Sequence, residues 1–225
     1  RHRGAVVFLH GSGDTGPGVR QWLEAASGGK FERVLGSELG LKVVFPTAPK
    51  IAYSLAGGML STVWFNRSAL SPDSPQDRGG VLRSLRQVED EVCKLEEQEG
   101  VPRSAIFVGG FSMGGCLALE VLGSEALAGR LAGVFSHASF LSDDSAVFET
   151  AEVMTTPVYS SHGGSDDMVR ASWGRSTTER LRRIAGLGEL HFTEHDGLGH
   201  ELGEDQIAGL LDWISTIAKR PDFGQ

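Results

Sequence analysis

Ile106-Phe107-Val108-Gly109-Gly110-Phe111-Ser112-Met113-Gly114-Gly115 sets an apolar, β-branched and aromatic run directly before a G-x-S-x-G pattern, and residues 116–122 continue it as a helix-prone stretch without a breaker. Together they read as a strand that turns sharply into a helix, a nucleophile elbow. A serine on so tight a turn is forced into sterically costly backbone space, and side chains two residues to either side would collide. Gly110 and Gly114 remove them. The turn lifts Ser112 Oγ above the sheet edge and aims the N–H of Met113 at the same point, so nucleophile and oxyanion donor come from one bend. Glycine-rich strand-to-helix turns also arise from packing alone; the flanking strand and helix signals decide for catalysis.

Similar short apolar runs recur at residues 5–9, 42–45, 106–108, 133–135, 157–160 and 189–193, with amphipathic or helix-prone segments between most of them. Alternation of this kind predicts an α/β fold, a mainly parallel sheet with helices on both faces. The clearest helix covers residues 81–99, where Val81, Leu85, Val88, Val92 and Leu95 alternate steps of four and three between charged residues. That stripe faces a core and needs no function. Residues 46–80 differ, with four of the eight prolines and no clean periodicity. They predict a long excursion from the fold that walls or covers a binding site. Met59, Leu60 and Trp64 are its candidate substrate-binding walls. At 225 residues the chain fits one domain spanning 1–225.

A serine is a weak nucleophile unless a base takes its proton, and the base needs a carboxylate to hold its tautomer. The chain order in elbow-type hydrolases is serine, acid, histidine. Five histidines follow Ser112: His137, His162, His191, His195 and His200. The first two precede the best acid candidates. His200 lies in Asp196-Gly197-Leu198-Gly199-His200, a loop between the last strand and the final helix from which a side chain can reach back over the sheet edge, and it is the expected base. His195 is the alternative. The run after the fifth strand, His162-Gly163-Gly164-Ser165-Asp166-Asp167, offers either aspartate as the acid. The second oxyanion donor should come from the loop after the strand beside the elbow strand, which points to the N–H of Ser12 in Leu9-His10-Gly11-Ser12-Gly13.

Gly11-Ser12-Gly13-Asp14-Thr15-Gly16 is also a literal G-x-G-x-x-G after a strand, the dinucleotide fingerprint. That reading needs an acid at the end of the second strand, about 20 residues on, to hold the ribose. Val43-Val44-Phe45-Pro46-Thr47 has none. Gly29-Lys30 is followed by Phe31 and lacks the upstream glycine of a phosphate loop. No cofactor and no metal is therefore expected.

With 21 Lys+Arg against 29 Asp+Glu the formal charge is -8, and the basic residues are scattered apart from Arg180, Arg182 and Arg183. Nucleic acid and anionic membrane surfaces are excluded as principal partners. No run approaches the roughly 18 apolar residues of a membrane span. The two cysteines, Cys93 and Cys116, read as reduced thiols, which points to a cytoplasmic setting. Nothing at the N-terminus has the layout of a signal peptide, and Arg1-His2-Arg3-Gly4 leads straight into a strand-like run, so an upstream leader stays open. The oligomeric state stays open as well, a homo-oligomer included.

The chain resembles the acyl-protein thioesterase and lysophospholipase group of α/β-hydrolases. The match runs in order through Phe8 to Gly16, Phe45-Pro46-Thr47-Ala48-Pro49, Gly57-Gly58 with Trp64-Phe65, Gly109 to Cys116, and His162-Gly163 with Asp166 and Val169, and covers nearly the whole chain. The resemblance implies an α/β-hydrolase fold, Ser112 as nucleophile, Asp166 rather than Asp167 as acid, and His200 as base. It implies the N–H groups of Ser12 and Met113 as oxyanion hole, and cofactor-free hydrolysis of acyl thioesters or esters, on acylated proteins or small substrates. Two positions depart from it: Asn66 replaces the usual aspartate after Trp-Phe, and His137 stands where the group is apolar. The expected function is a serine hydrolase of acyl thioesters or carboxylic esters. A generalist short-chain carboxylesterase and a non-catalytic acyl-binding pseudo-hydrolase are the alternatives.

Overall fold

The structure, a computed structural model, describes residues 2–149, 155–185 and 189–225. All six expected strands form. They are β1 (Gly4–Leu9), β2 (Leu41–Val44), β5 (Ile106–Phe111), β6 (Gly133–His137), β7 (Val158–Gly163) and β8 (Leu190–His195). They pair in parallel throughout, in the order β2-β1-β5-β6-β7-β8. β1 lies against β5 with Leu9 opposite Gly110, so the loop after β1 begins beside the elbow.

Alternation along each strand divides the core into two layers. Ala5, Val7 and Leu9 of β1 and Ile106 and Val108 of β5 face one layer, which is completed by α3 (Arg78–Glu99) and α4 (Met113–Glu120). Val6, Phe8 and Phe107 face the other, against α1 (Gly16–Ala26), the short α2 (Lys30–Glu32) and α6 (Glu204–Ala218). The stripe from Val81 to Leu95 is buried on α3 as its spacing requires. α5 (Ala171–Ala185) connects β7 to β8. Among the described residues no helix is long and apolar enough to cross a membrane.

The excursion is ordered. It forms an antiparallel hairpin, β3 (Lys50–Ala52) with β4 (Leu60–Thr62), around a single 3₁₀ turn at Ser54–Ala56. It ends slightly earlier than its composition suggests, because Asp77 caps α3 by accepting the N–H of Gly80, which draws Arg78 to Gly80 into the helix. The other Asp77 oxygen accepts the N–H of Asn66, tying the excursion to the same cap. The glycine loop at residues 11–16 is closed in a similar way, since Thr15 caps α1 and Asp14 accepts the N–H of Thr15.

α4 is buried on every side, which leaves its last residue, Glu120, inside the protein. Ser145 and Gln76 donate to its two oxygens. Even so, burial pushes this carboxyl up from an ordinary 4.5 to about 7. The folded state therefore holds the proton more tightly than the unfolded state, and stability falls as pH rises from about 4.5 to about 7 and is level above. Glu120→Gln should remove this slope. Its stability relative to the native chain should rise by on the order of 2 to 3 kcal/mol between pH 4.5 and 8, read from urea titrations at several pH values. A difference that does not vary with pH would contradict this account.

Candidate active site

The elbow is where the sequence placed it. Ser112 has φ 53 and ψ -120, a backbone region that non-glycine residues enter at a cost of about 1 to 3 kcal/mol. Surrounding hydrogen bonds hold it there. Its N–H donates to the carbonyl of His137 at 2.9 Å, and its own carbonyl accepts from Cys116 N at 2.9 Å and from Ser139 Oγ at 2.9 Å. Ser139 Oγ also lies 2.7 Å from the His137 carbonyl, so one hydroxyl sits between the elbow and the end of β6. The two motif glycines are needed for close approach: a Cβ on Gly110 would stand 2.3 Å from the Leu9 carbonyl oxygen, and one on Gly114 2.2 Å from it.

Ser112 Oγ, His200 and Asp166 converge. His200 Nε2 is 3.0 Å from Ser112 Oγ, and His200 Nδ1 is 2.7 Å from Asp166 Oδ2. The side chain of Asp166 is fully buried, and its second oxygen accepts the N–H groups of Met168 at 3.0 Å and Val169 at 2.8 Å. His162, also buried, donates Nε2–H to the Val169 carbonyl at 2.7 Å, which fixes the loop carrying Asp166. His200 reaches the site because Gly163 at the end of β7 lets the loop at Leu198 and Gly199 approach; a Cβ there would come within 2.3 Å of the Leu198 carbonyl oxygen. Its ring packs on Phe111, with centroids 4.8 Å apart, and Phe111 in turn meets Trp22 edge to face. His195 and Asp167 are not part of this arrangement. Asp167 is exposed, and His195 Nε2 is buried without a partner.

Met113 is the first residue of α4, so its N–H has no acceptor within the helix. In the loop after β1 the neighbouring amides are engaged, Gly13 N–H with Thr62 O and Asp14 N–H with Gly11 O. Among the described residues the N–H groups of Ser12 and Met113 donate to no other group. Both residues line a small cavity with Ser112, and the Ser12 hydroxyl lies 3.7 Å from Met113 Sδ. His10 sets the loop: its Nδ1–H donates to Gly11 O at 2.6 Å and its Nε2 accepts from Ala48 N at 3.0 Å. Burial lowers its pKa, in keeping with the neutral tautomer those two bonds require.

A cavity of about 430 Å³ opens beside Ser112 and His200, walled by Trp22, Tyr53, Leu55, Leu70 and Met168. The excursion thus forms part of the wall, but not through the residues expected. Met59 and Leu60 stand on the outside of the hairpin, 70% and 72% exposed. Trp64 is wholly buried, donating Nε1–H to the His10 carbonyl at 2.9 Å. None of the three borders the cavity. The physical reason is the hairpin itself, whose pairing of Ala52 with Leu60 turns Tyr53 and Leu55 toward the nucleophile and the tip away. Asn66 donates to Ser54 Oγ and accepts the Ser54 N–H, bracing that wall with an amide at the position where the resemblance anticipates a carboxylate. His137, the other departure, is wholly buried beside Ser161 Oγ at 2.5 Å, and burial takes its pKa down to about 3.

Several supporting groups had no signal of their own in the sequence. Ser139 is one serine among many, and His10 and His162 read as neighbours of motif glycines rather than as loop fixtures. Among the described residues no group of three or more His, Cys, Asp or Glu side chains is arranged to hold a metal ion.

Known proteins resemble the chain over nearly its whole length. The phospholipase/carboxylesterase family matches residues 1–218. Lysophospholipase-like protein 1 of Mus musculus is 34% identical over all of this chain and 91% of its own length. Acyl-protein thioesterase 1 of Candida albicans is 26% identical over 97% of this chain and 94% of its own. The crystal structure of SOBER1 from Arabidopsis thaliana superposes with a TM-score of 0.81 at 26% identity, covering 96% of this chain and all of that one.

Ser139→Ala would leave the elbow carbonyl of Ser112 and the buried carbonyl of His137 without this hydroxyl. Both carbonyls keep a backbone donor, so the variant should lose about 0.5 to 1.5 kcal/mol of stability in urea unfolding with an unchanged denaturant slope. An unaltered midpoint would mean that the hydroxyl does not hold the elbow.

Proposed function

The chain belongs to the phospholipase/carboxylesterase family of α/β-hydrolases, and from that membership we propose that it is a serine hydrolase of acyl thioesters or carboxylic esters. The observation that carries this reading is the continuous hydrogen-bonded line from Ser112 Oγ through His200 to the buried carboxylate of Asp166. Asp166 holds the His200 tautomer with its proton on Nδ1, which leaves Nε2 free to take the proton of Ser112 as Oγ attacks the acyl carbon. The tetrahedral oxyanion is received by the N–H groups of Ser12 and Met113. His200 then protonates the departing thiolate or alkoxide, and water repeats the sequence on the acyl-enzyme. The two free thiols, Cys93 and Cys116, favour a reducing compartment such as the cytoplasm.

Ser112→Ala, His200→Ala and Asp166→Asn should each lower kcat/KM by on the order of 10³-fold or more on a thioester or an aryl ester, because triad members act as a unit. Asp167→Asn, at an exposed position, should stay within a few-fold. A damaging Asp167→Asn with a silent Asp166→Asn would reverse the assignment of the acid. Labelling of Ser112 by a fluorophosphonate separates an enzyme from an acyl-binding pseudo-hydrolase, since only an activated serine reacts.

Because Ser12 acts through its backbone in this scheme, Ser12→Ala should be nearly silent in steady-state assays. Ser12→Pro, if folded by circular dichroism, should cost about 3 kcal/mol in the transition state, roughly 10²-fold in kcat. Equal damage from both would give the role to the hydroxyl instead.

A further inference from the structure

The cavity of about 430 Å³ beside Ser112 and His200 is electrostatically one-sided. Among the described residues its border holds no lysine or arginine, a single carboxylate, that of Asp14, and the aromatic rings of Trp22, Tyr53 and Phe111. Asp14 Oδ1 accepts the N–H of Thr15 at 2.7 Å. Among the described residues nothing donates to its other oxygen, and no lysine or arginine pairs with the carboxylate. Asp14 is half-buried, so its charge is screened less than that of a surface residue. Aromatic faces add to the same preference, since the ring quadrupole attracts a cation, most strongly at tryptophan. An ammonium group is what such a wall receives best.

These groups lie on the side where a leaving group departs. On the proposed hydrolase reading, on which this inference rests, the leaving atom must be within reach of His200 Nε2. The His200 ring packs on Phe111 with centroids 4.8 Å apart, Phe111 meets Trp22 at 4.9 Å, and Trp22 belongs to α1, whose capping residue Thr15 directly follows Asp14. One wall of the cavity therefore runs from the base over two rings toward the carboxylate. Asp14 is also two residues beyond Ser12, whose N–H receives the oxyanion in that reading, so the carboxylate and the reacting centre are carried by one short loop. A cavity of this size suits a small organic molecule.

We propose that this wall selects substrates whose leaving group is a small amino alcohol or aminothiol carrying a cation, with Asp14 as the residue that determines the preference. The cation rests against the faces of Trp22 and Tyr53 within the field of Asp14, while the acyl carbonyl meets Ser112. The chemistry is unchanged: the Ser112 Oγ–carbon bond forms, the carbon–oxygen or carbon–sulfur bond breaks, the proton passes through His200 to the leaving atom, and water releases the carboxylic acid from the acyl-enzyme.

The test compares the butyryl esters of choline and of 3,3-dimethylbutanol, which share shape and differ in the charge at the end of the leaving group, each kcat/KM being divided by that ester's own rate with hydroxide. The native chain should favour the choline ester by about tenfold on this scale. Asp14→Asn, which keeps an acceptor for the Thr15 N–H, should cut that ratio by about threefold or more. A native ratio at or below one, or an equal fractional loss on both esters in Asp14→Asn, overturns the assignment. Should Asp14→Asn not fold, competitive inhibition of the native enzyme reads the same contact: choline should inhibit at concentrations at least about fivefold below 3,3-dimethylbutanol, and equal inhibition overturns it. Fluorophosphonate labelling of Ser112, run alongside, separates the two claims. Labelling without a preference for the choline ester removes this inference alone, whereas no labelling removes the hydrolase reading and this one with it.

Discussion

Everything at this site depends on how closely the end of β1 can approach the start of α4. The Leu9 carbonyl oxygen occupies space that a side chain on either Gly110 or Gly114 would need. With both positions empty, the loop after β1 and the first turn of α4 lie side by side, and the amides of Ser12 and Met113 border one cavity with Ser112. The strained Ser112 backbone persists because β6 and Ser139 hold it from the other side. Parallel pairing of β1 with β5 and of β5 with β6 is therefore the scaffold of the chemistry as well as the centre of the core.

Around that contact the protein uses buried imidazoles as fixed hydrogen-bonding struts. His10, His137 and His162 all have pKa values lowered first by burial, so each is neutral when folded. His10 sets the loop that carries Ser12, His162 sets the loop that carries Asp166, and the backbone of His137 receives the Ser112 amide. Their neutrality keeps extra positive charge out of the site.

The sheet and the convergence of Ser112, His200 and Asp166 were legible because local rules leave marks in local sequence. Apolar runs of strand length name the strands, and a glycine two residues either side of Ser112 names the turn. Choosing between Asp166 and Asp167 was beyond those rules, since adjacent aspartates differ only in which one the folded loop buries; the family resemblance supplied it. The walls of the cavity were misread for a related reason. Met59, Leu60 and Trp64 are bulky apolar residues on or beside the hairpin, but bulk does not say which way a hairpin faces. Pairing across β3 and β4 turned the first two outward, and the indole N–H of Trp64 found the His10 carbonyl inside the core.

The hairpin that supplies Tyr53 and Leu55 to the outer cavity is joined at its tip by Gly57 and Gly58, around which a Cβ atom would meet nothing within 4 Å. Its inner end is held by Asn66, Asp77 and the contact of Trp64 with His10. The mouth of the site is thus hung from the body by one anchored edge, with its free edge in open space. Lengthening or reshaping that edge leaves the elbow, the sheet and the buried imidazoles untouched. A lineage built on this plan can change what enters its active site by drift at the tip of one turn, while selection on the reacting groups stays separate and strict.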